Sequence, residues 1–157
     1  MEVAVLLHNI RSTHNVGSIF RTADAAGISR VYLTGYTPTP TDRFGRVRKD
    51  IAKTALGAEK FLPWEHHVSA SRLITKLKKE GWSIVGVEQD ARARDYRAFK
   101  PKGNTVFILG NEVLGISKDV RKKCDALIEI PMRGKKESLN VSVAAGIILY
   151  KYVERSA

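Results

Sequence analysis

TVFILG-NEVLGIS-KDVRKKCD-ALIEIPM-RGKKE-SLNVSVAAGIILYKY, residues Thr105–Tyr152, is the stretch whose reading decides the fold. Two short apolar runs, Val106–Leu109 and Ala126–Ile130, are each bounded by turn-forming or charged residues, as buried strands should be. Each run stops at a polar loop: Gly110-Asn111-Glu112 after the first, Met132 to Glu137 after the second. A helix is expected from Ser138 to Glu154, with Ser138 as a natural N-cap. In an open α/β sheet, ligands bind in the crevice beyond the carboxyl ends of the strands. Two such loops this close in sequence, read as leaving neighbouring strands, are the best site candidate in the chain.

Upstream of this stretch, Val3–Leu7 reads as a buried strand and His8 to His14 as a polar turn. Asn15 is placed to cap the helix that follows and Gly27 to end it. Val16, Ile19, Phe20, Ala23 and Ala26 recur at helical spacing, leaving Arg21 and Asp24 off the apolar stripe. Arg30–Leu33 is the next strand, so a βαβ unit of a parallel sheet opens the chain. Gly35 to Asp50 is too rich in Pro, Thr and charge for a regular element. Ile51–Ala58 reads as helical turns, Lys60–Trp64 as a short strand, and Ser69–Glu80 as an amphipathic helix stopped by Gly81. Trp82–Val87 is a strand, Glu88–Gly103 a long loop with a turn at Tyr96–Phe99, and Ser117–Lys123 a short helix. The sum is a single α/β domain with five or six mostly parallel strands and helices on both faces.

Composition narrows the function classes. The chain has 157 residues, enough for one domain with its own core. Lys+Arg number 27 against 16 Asp+Glu, a net charge of +11 that favours a polyanionic partner. No apolar run approaches the ~20 residues needed to cross a bilayer. MEVAVLLHNIR does not have the pattern of a signal peptide. A lone Cys124 suits a reducing compartment, and a cytoplasmic location is expected. No His/Cys set has metal-ligand spacing, so no metal is expected.

GNEVLGIS (Gly110–Ser117) resembles a P-loop only superficially, because Ile116 stands where the phosphate-binding lysine would be. The first strand–helix turn lacks G-x-G-x-x-G, which argues against a dinucleotide fold. Taken singly, most of the polar residues have plain readings. Gly110 and Gly115 would turn the chain, Asn15 would cap a helix, Arg21 would pair on the surface, and Glu112 would be a solvated carboxylate. Asn140 is less easily explained two residues inside a helix start, because Asn is a poor helix former there. Basic clusters fall in the loops: Arg43, Arg46, Arg48, Lys49 and Lys53; Arg92, Arg94, Arg97, Lys100 and Lys102; Arg133, Lys135 and Lys136. Tyr36, Phe44, Tyr96 and Phe99 are interleaved with them, the combination single-stranded RNA binding needs.

Three segments together resemble the SpoU (TrmH-type) branch of the SPOUT RNA methyltransferases. They are Asn15-Val16-Gly17-Ser18-Ile19-Phe20-Arg21-Thr22, then Ile108-Leu109-Gly110-Asn111-Glu112-Val113-Leu114-Gly115-Ile116, and then Ile130-Pro131-Met132 with Ser138-Leu139-Asn140-Val141-Ser142-Val143-Ala144. The resemblance spans nearly the whole chain. It implies S-adenosylmethionine (SAM) as methyl donor, a ribose 2′-hydroxyl of tRNA or rRNA as acceptor, a homodimer, and a C-terminal trefoil knot that builds the cofactor site. Carried over by motif, the cofactor would lie against Leu109, Gly110, Asn111, Gly115, Ile130, Met132, Leu139, Asn140 and Val141. Arg21 and Asn15 would face the acceptor, supported by Glu112, Ser138 and Asn140. Arg11, Arg43, Arg46, Arg48, Lys49 and Arg133 are the candidates for RNA contact. One methyltransferase domain over residues 1–157, without N- or C-terminal extension, is expected. The competing readings are an RNA-binding scaffold without methylation activity and a methyltransferase acting on a base. Intact Arg21, Glu112, Ser138 and Asn140 speak against the first, and the Asn15/Arg21 motif against the second.

Overall fold

The computed structural model describes residues 1–153. In chain order the elements are β1 (Val3–His8), α1 (Thr13–Ala26), β2 (Arg30–Thr34), α2 (Lys49–Ala55), α3 (Ala58–Phe61) and β3 (Trp64–His67). They continue with α4 (Ala70–Lys79), β4 (Ser83–Val87), β5 (Arg94–Asp95), β6 (Thr105–Leu109), α5 (Lys118–Lys123), β7 (Ala126–Glu129) and α6 (Val141–Val153). Every strand pairing is parallel, in the order β3-β2-β1-β6-β4-β7-β5. β1 and β6 are buried at every position, because helices cover both faces. Val5, Leu7, Val85, Phe107, Leu109 and Ile128 face α1, α2 and α6, while Leu6, Ile84, Val106 and Ile108 face α4 and α5.

Several expectations are corrected. The sheet has seven strands, not five or six; the extra pairing comes from the two-residue β5, too short to leave a sequence pattern. The strand expected at Lys60–Trp64 begins only at Trp64, because Ala58–Phe61 forms a helical turn ending before Pro63. α1 is capped by Ser12, whose side chain accepts from the Asn15 N–H at 3.1 Å, so Asn15 lies inside the helix rather than at its cap. α6 begins at Val141 rather than Ser138: Asn140 Oδ1 accepts from the Ser142 N–H at 2.8 Å and Ser142 Oγ at 2.6 Å. Asn140 is thus the cap itself, which removes the difficulty of an Asn inside the helix. Glu154, the expected last helical residue, lies outside the described residues. Finally, β6 and β7 are not neighbours, since β4 stands between them.

The return of the chain from β4 to β6 shapes the C-terminal half. It runs past β7 to form β5, turns at Tyr96–Ala98, and comes back with Tyr96 and Phe99 against the α1/α6 core. Tyr152, near the end of α6, stacks on Phe107 of β6 with ring centroids 4.9 Å apart. It also meets Phe99 edge-on at 5.9 Å, and its hydroxyl donates to the Tyr96 carbonyl. The end of the last helix is therefore held between the sheet and this returning segment.

Parallel register brings the carboxyl ends of four strands to one rim. Leu7 pairs with Leu109, Gly86 with Ile108 and Val87 with Ile128. The loops after β1, β6, β4 and β7 leave from that rim.

Candidate active site

A cleft of about 670 Å³, open to solvent, lies at this rim. Leu109, Gly110, Asn111, Glu112 and Gly115 contribute from the loop after β6, and Ile130, Ser138, Leu139 and Val141 from the segment between β7 and α6. Three apolar contributions, Val87, Val113 and Ala144, and three polar ones, Glu88, Gln89 and Glu129, were not among the expected site residues. Glu88 could have been found: it is the first residue beyond a strand end, where ligands bind in such sheets. Reading Glu88–Gly103 as an undifferentiated loop hid it.

The loop after β6 is locked by its own residues. Asn111 and Gly115 exchange backbone hydrogen bonds at 3.1 and 2.9 Å. Asn111 Oδ1 accepts from the Val113 and Leu114 N–H groups at 2.9 Å, while its Nδ2 donates to the Asn9 carbonyl at 2.9 Å and to Tyr36 Oη at 3.0 Å. The Ile116 N–H donates to Glu88 Oε2 at 2.6 Å. Gly115 has φ +71°, and a Cβ there would come within 2.4 Å of Glu88 Oε2. A Cβ on Gly110 would come within 2.4 Å of the Gly115 and Ile116 backbone. Both glycines are required by this fold of the loop, beyond simple turning. The tip residues Val113 and Leu114 are 89% and 81% exposed, unusual for apolar side chains at a locked loop.

Glu112 joins two loops. Its carboxylate accepts from the Arg11 N–H at 3.2 Å and the Ser12 N–H at 3.1 Å, at the start of α1. Burial pushes the carboxyl up, but its own backbone N–H, those of Ser12 and Arg11, and the Asn15 side chain outweigh it and leave the group below the ordinary carboxylate range. A carboxylate so satisfied is a poor proton acceptor and a good clamp. His8, buried at the end of β1, extends the same tie: Nδ1 meets Thr34 Oγ1 at 2.9 Å and Nε2 meets Ser117 Oγ at 3.3 Å. Burial holds its pKa below the usual imidazole value.

The expected site residues do not all converge. Asn15 is buried and turned to Glu112. Met132 and Asn140 do not line the cleft, Asn140 being engaged as the α6 cap. Arg21 is exposed on another surface, in a depression with Ser18, Thr22, Leu56 and Tyr150. Arg21 stands six positions after Asn15 in α1, which turns the two about 120° apart around the axis. Among the RNA candidates, Arg11 stands at the cleft rim beside Glu112, and Arg133 follows β7. Arg43 and Arg46 sit over the exposed Phe44 ring at 4.9 and 5.0 Å, with Arg48 and Lys49 at the start of α2. Among the described residues no group of three or more His, Cys, Asp or Glu is placed to hold a metal, and no helix is long and apolar enough to cross a membrane.

Comparison with known proteins places this architecture. The 23S rRNA (guanosine-2′-O-)-methyltransferase of Xanthomonas axonopodis is 33% identical over 98% of this chain and 59% of its own length. A Staphylococcus haemolyticus protein assigned to the TrmH family of tRNA/rRNA methyltransferases is 35% identical over 96% of this chain and 58% of its own. The chain thus spans less than two thirds of these relatives. Among solved structures, an AdoMet-bound rRNA methyltransferase from Sinorhizobium meliloti superposes with TM-score 0.88 at 29% identity, covering 99% of this chain and 56% of that one. The TrmH/SpoU tRNA modifying enzyme of A. aeolicus gives 0.85 at 28%, covering 98% and 75%. The resemblance read from three sequence motifs is borne out. Since the model of the SpoU rRNA Methylase family matches residues 2–150, the chain belongs to that family.

Proposed function

We propose that this chain transfers a methyl group from SAM to a ribose 2′-hydroxyl of tRNA or rRNA. The observation that carries the reading is the cleft at the carboxyl ends of β4, β6 and β7, built from two of the three family motifs and tied to the third through Glu112 and Asn15. The residues present fit the cofactor. Val87, Leu109, Ile130, Leu139, Val141 and Ala144 give an apolar wall for an adenine, and the carboxylates of Glu88, Glu112 and Glu129 suit a ligand carrying positive charge. Bound there, SAM would supply an electrophilic methyl on a sulfonium, so positioning of the nucleophile carries much of the rate. The chain's task is then to hold the 2′-oxygen in line and stabilise its developing charge. Glu112, its oxygens engaged by backbone N–H groups, sets the start of α1 against the cleft and does not serve as the base.

Arg21 is assigned to the acceptor. A guanidinium offers donors and stays charged at physiological pH, so it donates to the 2′-oxyanion or the adjacent phosphate, and the proton leaves to RNA phosphate or water. Arg21 does not reach the cleft of its own chain, which motivates the second element of the proposal, a homodimer. α6 is apolar on two sides: Val141, Ala145, Ile148, Leu149 and Tyr152 face the core, while Val143 and Tyr150 are exposed. A helix apolar on both sides has both sides covered. Tyr150 and the exposed Leu56 flank Arg21; in this proposal a second copy covers that surface and Arg21 serves the partner's cleft. Incubating the protein with labelled SAM and bulk RNA, then mapping the label, tests the activity. Label on a ribose 2′-oxygen supports it; label on a base, or SAM binding without transfer, would replace it by one of the two competing readings.

A further inference from the structure

Two basic segments distant in sequence meet at the opposite end of the sheet from the proposed active site. β5 pairs only with Ile128 and Glu129, so among the described residues the outer edge of β7 at Ala126 and Leu127 has no strand beside it. A cleft of about 1410 Å³ opens along this bare edge. One wall is the returning segment, with Arg92, Arg94, Lys100 and Lys102; the other is the end of α5, with Arg121 and Lys122. The carboxylate lining it, Asp125, is already engaged by the Ile84 N–H at 2.8 Å and by Lys78 at 3.3 Å. Arg92 and Arg121 share Asp90, at 3.2 and 3.3 Å. Arg94, Lys100, Lys102 and Lys122 have no ion pair among the described residues.

We propose that this cleft binds RNA phosphates away from the target nucleotide, as a second contact of the substrate one strand length from the methyl-transfer site. Four unpaired cations facing one concavity concentrate a polyanion, and the bare strand edge adds backbone N–H donors for phosphate oxygens. An added peptide strand would also use that edge, but the surplus of positive charge selects the polyanion. The inference rests on the RNA reading given above.

The test is affinity for bulk tRNA between 50 and 200 mM salt, for wild type and for a variant carrying Arg94→Gln, Lys100→Gln, Lys102→Gln and Lys122→Gln. The variant leaves three or four phosphates without a cation, each responsible for a slope of about 0.7–0.9, so the wild-type affinity should fall roughly 20–150-fold further than the variant's over that range. Affinity for SAM by calorimetry and the melting temperature should not change. A control carrying Arg94→Lys, Lys100→Arg, Lys102→Arg and Lys122→Arg should keep the wild-type slope. If wild type and variant have the same salt slope, the cleft is not an RNA site, although the RNA reading stands. If wild type binds neither bulk tRNA nor rRNA, that reading fails and the inference fails with it. If the variant keeps tRNA but loses a poly-glutamate peptide that wild type binds, the cleft belongs to a protein partner and the proposal is overturned.

Discussion

The loop after β6 and the outer surface around Arg21 hold two halves of one family motif set, and they differ in completeness. In the loop nearly every polar group is satisfied within the chain: Asn111 makes four side-chain hydrogen bonds, Glu112 accepts from two backbone N–H groups outside the loop, and Glu88 holds Ile116. Around Arg21 the chain presents exposed apolar side chains and a guanidinium with no ion pair among the described residues. A site needs its cofactor pocket rigid before binding, since positioning supplies the rate. The part that meets a second macromolecule can stay open until that molecule arrives.

The contrast is broken most severely at Gly110. Gly110→Glu places a side chain where even a Cβ would come within 2.4 Å of the Gly115 and Ile116 backbone, so the loop cannot close and SAM binding should disappear in calorimetry. Unchanged SAM affinity would put the cofactor elsewhere. The next largest effect is at Arg21. Arg21→Ala should bind SAM normally and lose about a hundred- to thousandfold in single-turnover rate, the usual loss for one oxyanion donor. Arg21→Lys should recover part of it, and a rate rising along a new ionisation near that of lysine would make residue 21 the base instead.

Smaller effects sharpen the clamp side. Asn140→Ala removes the α6 cap and should cost about 0.5–2 kcal/mol in denaturant unfolding. Glu112→Ala should cost about 1 kcal/mol through the lost backbone acceptor. Because the Glu112 carboxyl is held below its ordinary range when folded, its contribution is present above the unfolded carboxylate value near 4.5 and is lost as pH falls through the folded value. Wild type and Glu112→Gln should therefore converge in stability as pH drops below about 4.5. Parallel curves down to pH 3 would show that the clamp is not carried by the charge.

The same contrast explains what was legible in the sequence. Buried strands and the amphipathic α4 follow from periodicity, and the three motifs fixed the family. β5 was illegible because two residues carry no period, and only its pairing with Ile128 and Glu129 defines it. Asn15 rather than Ser12 reads as the α1 cap because both residue types cap helices, and the choice between them depends on where the backbone turns helical. Glu88 stayed hidden because Glu88–Gly103 reads as one loop, although Glu88 directly follows the end of β4, which stands between β6 and β7 in the sheet. Helical spacing already sets Arg21 off the apolar stripe of α1, but that Glu112 meets the start of α1 is tertiary and carries no local signal.

The central claim, one methyl-transfer site completed across two copies of the chain, is tested by mixing two inactive variants. Arg21→Ala keeps its cleft and Gly110→Glu keeps its arginine, so each alone should transfer almost no label from SAM to RNA. Co-expressed as mixed dimers, they create one complete site per heterodimer, and about a quarter of wild-type single-turnover transfer should return, the share of sites that random pairing of two-fold dimers makes whole. Mixed dimers, verified by differential tags, that remain as inactive as either parent would contradict the account and return Arg21 to the cleft of its own chain.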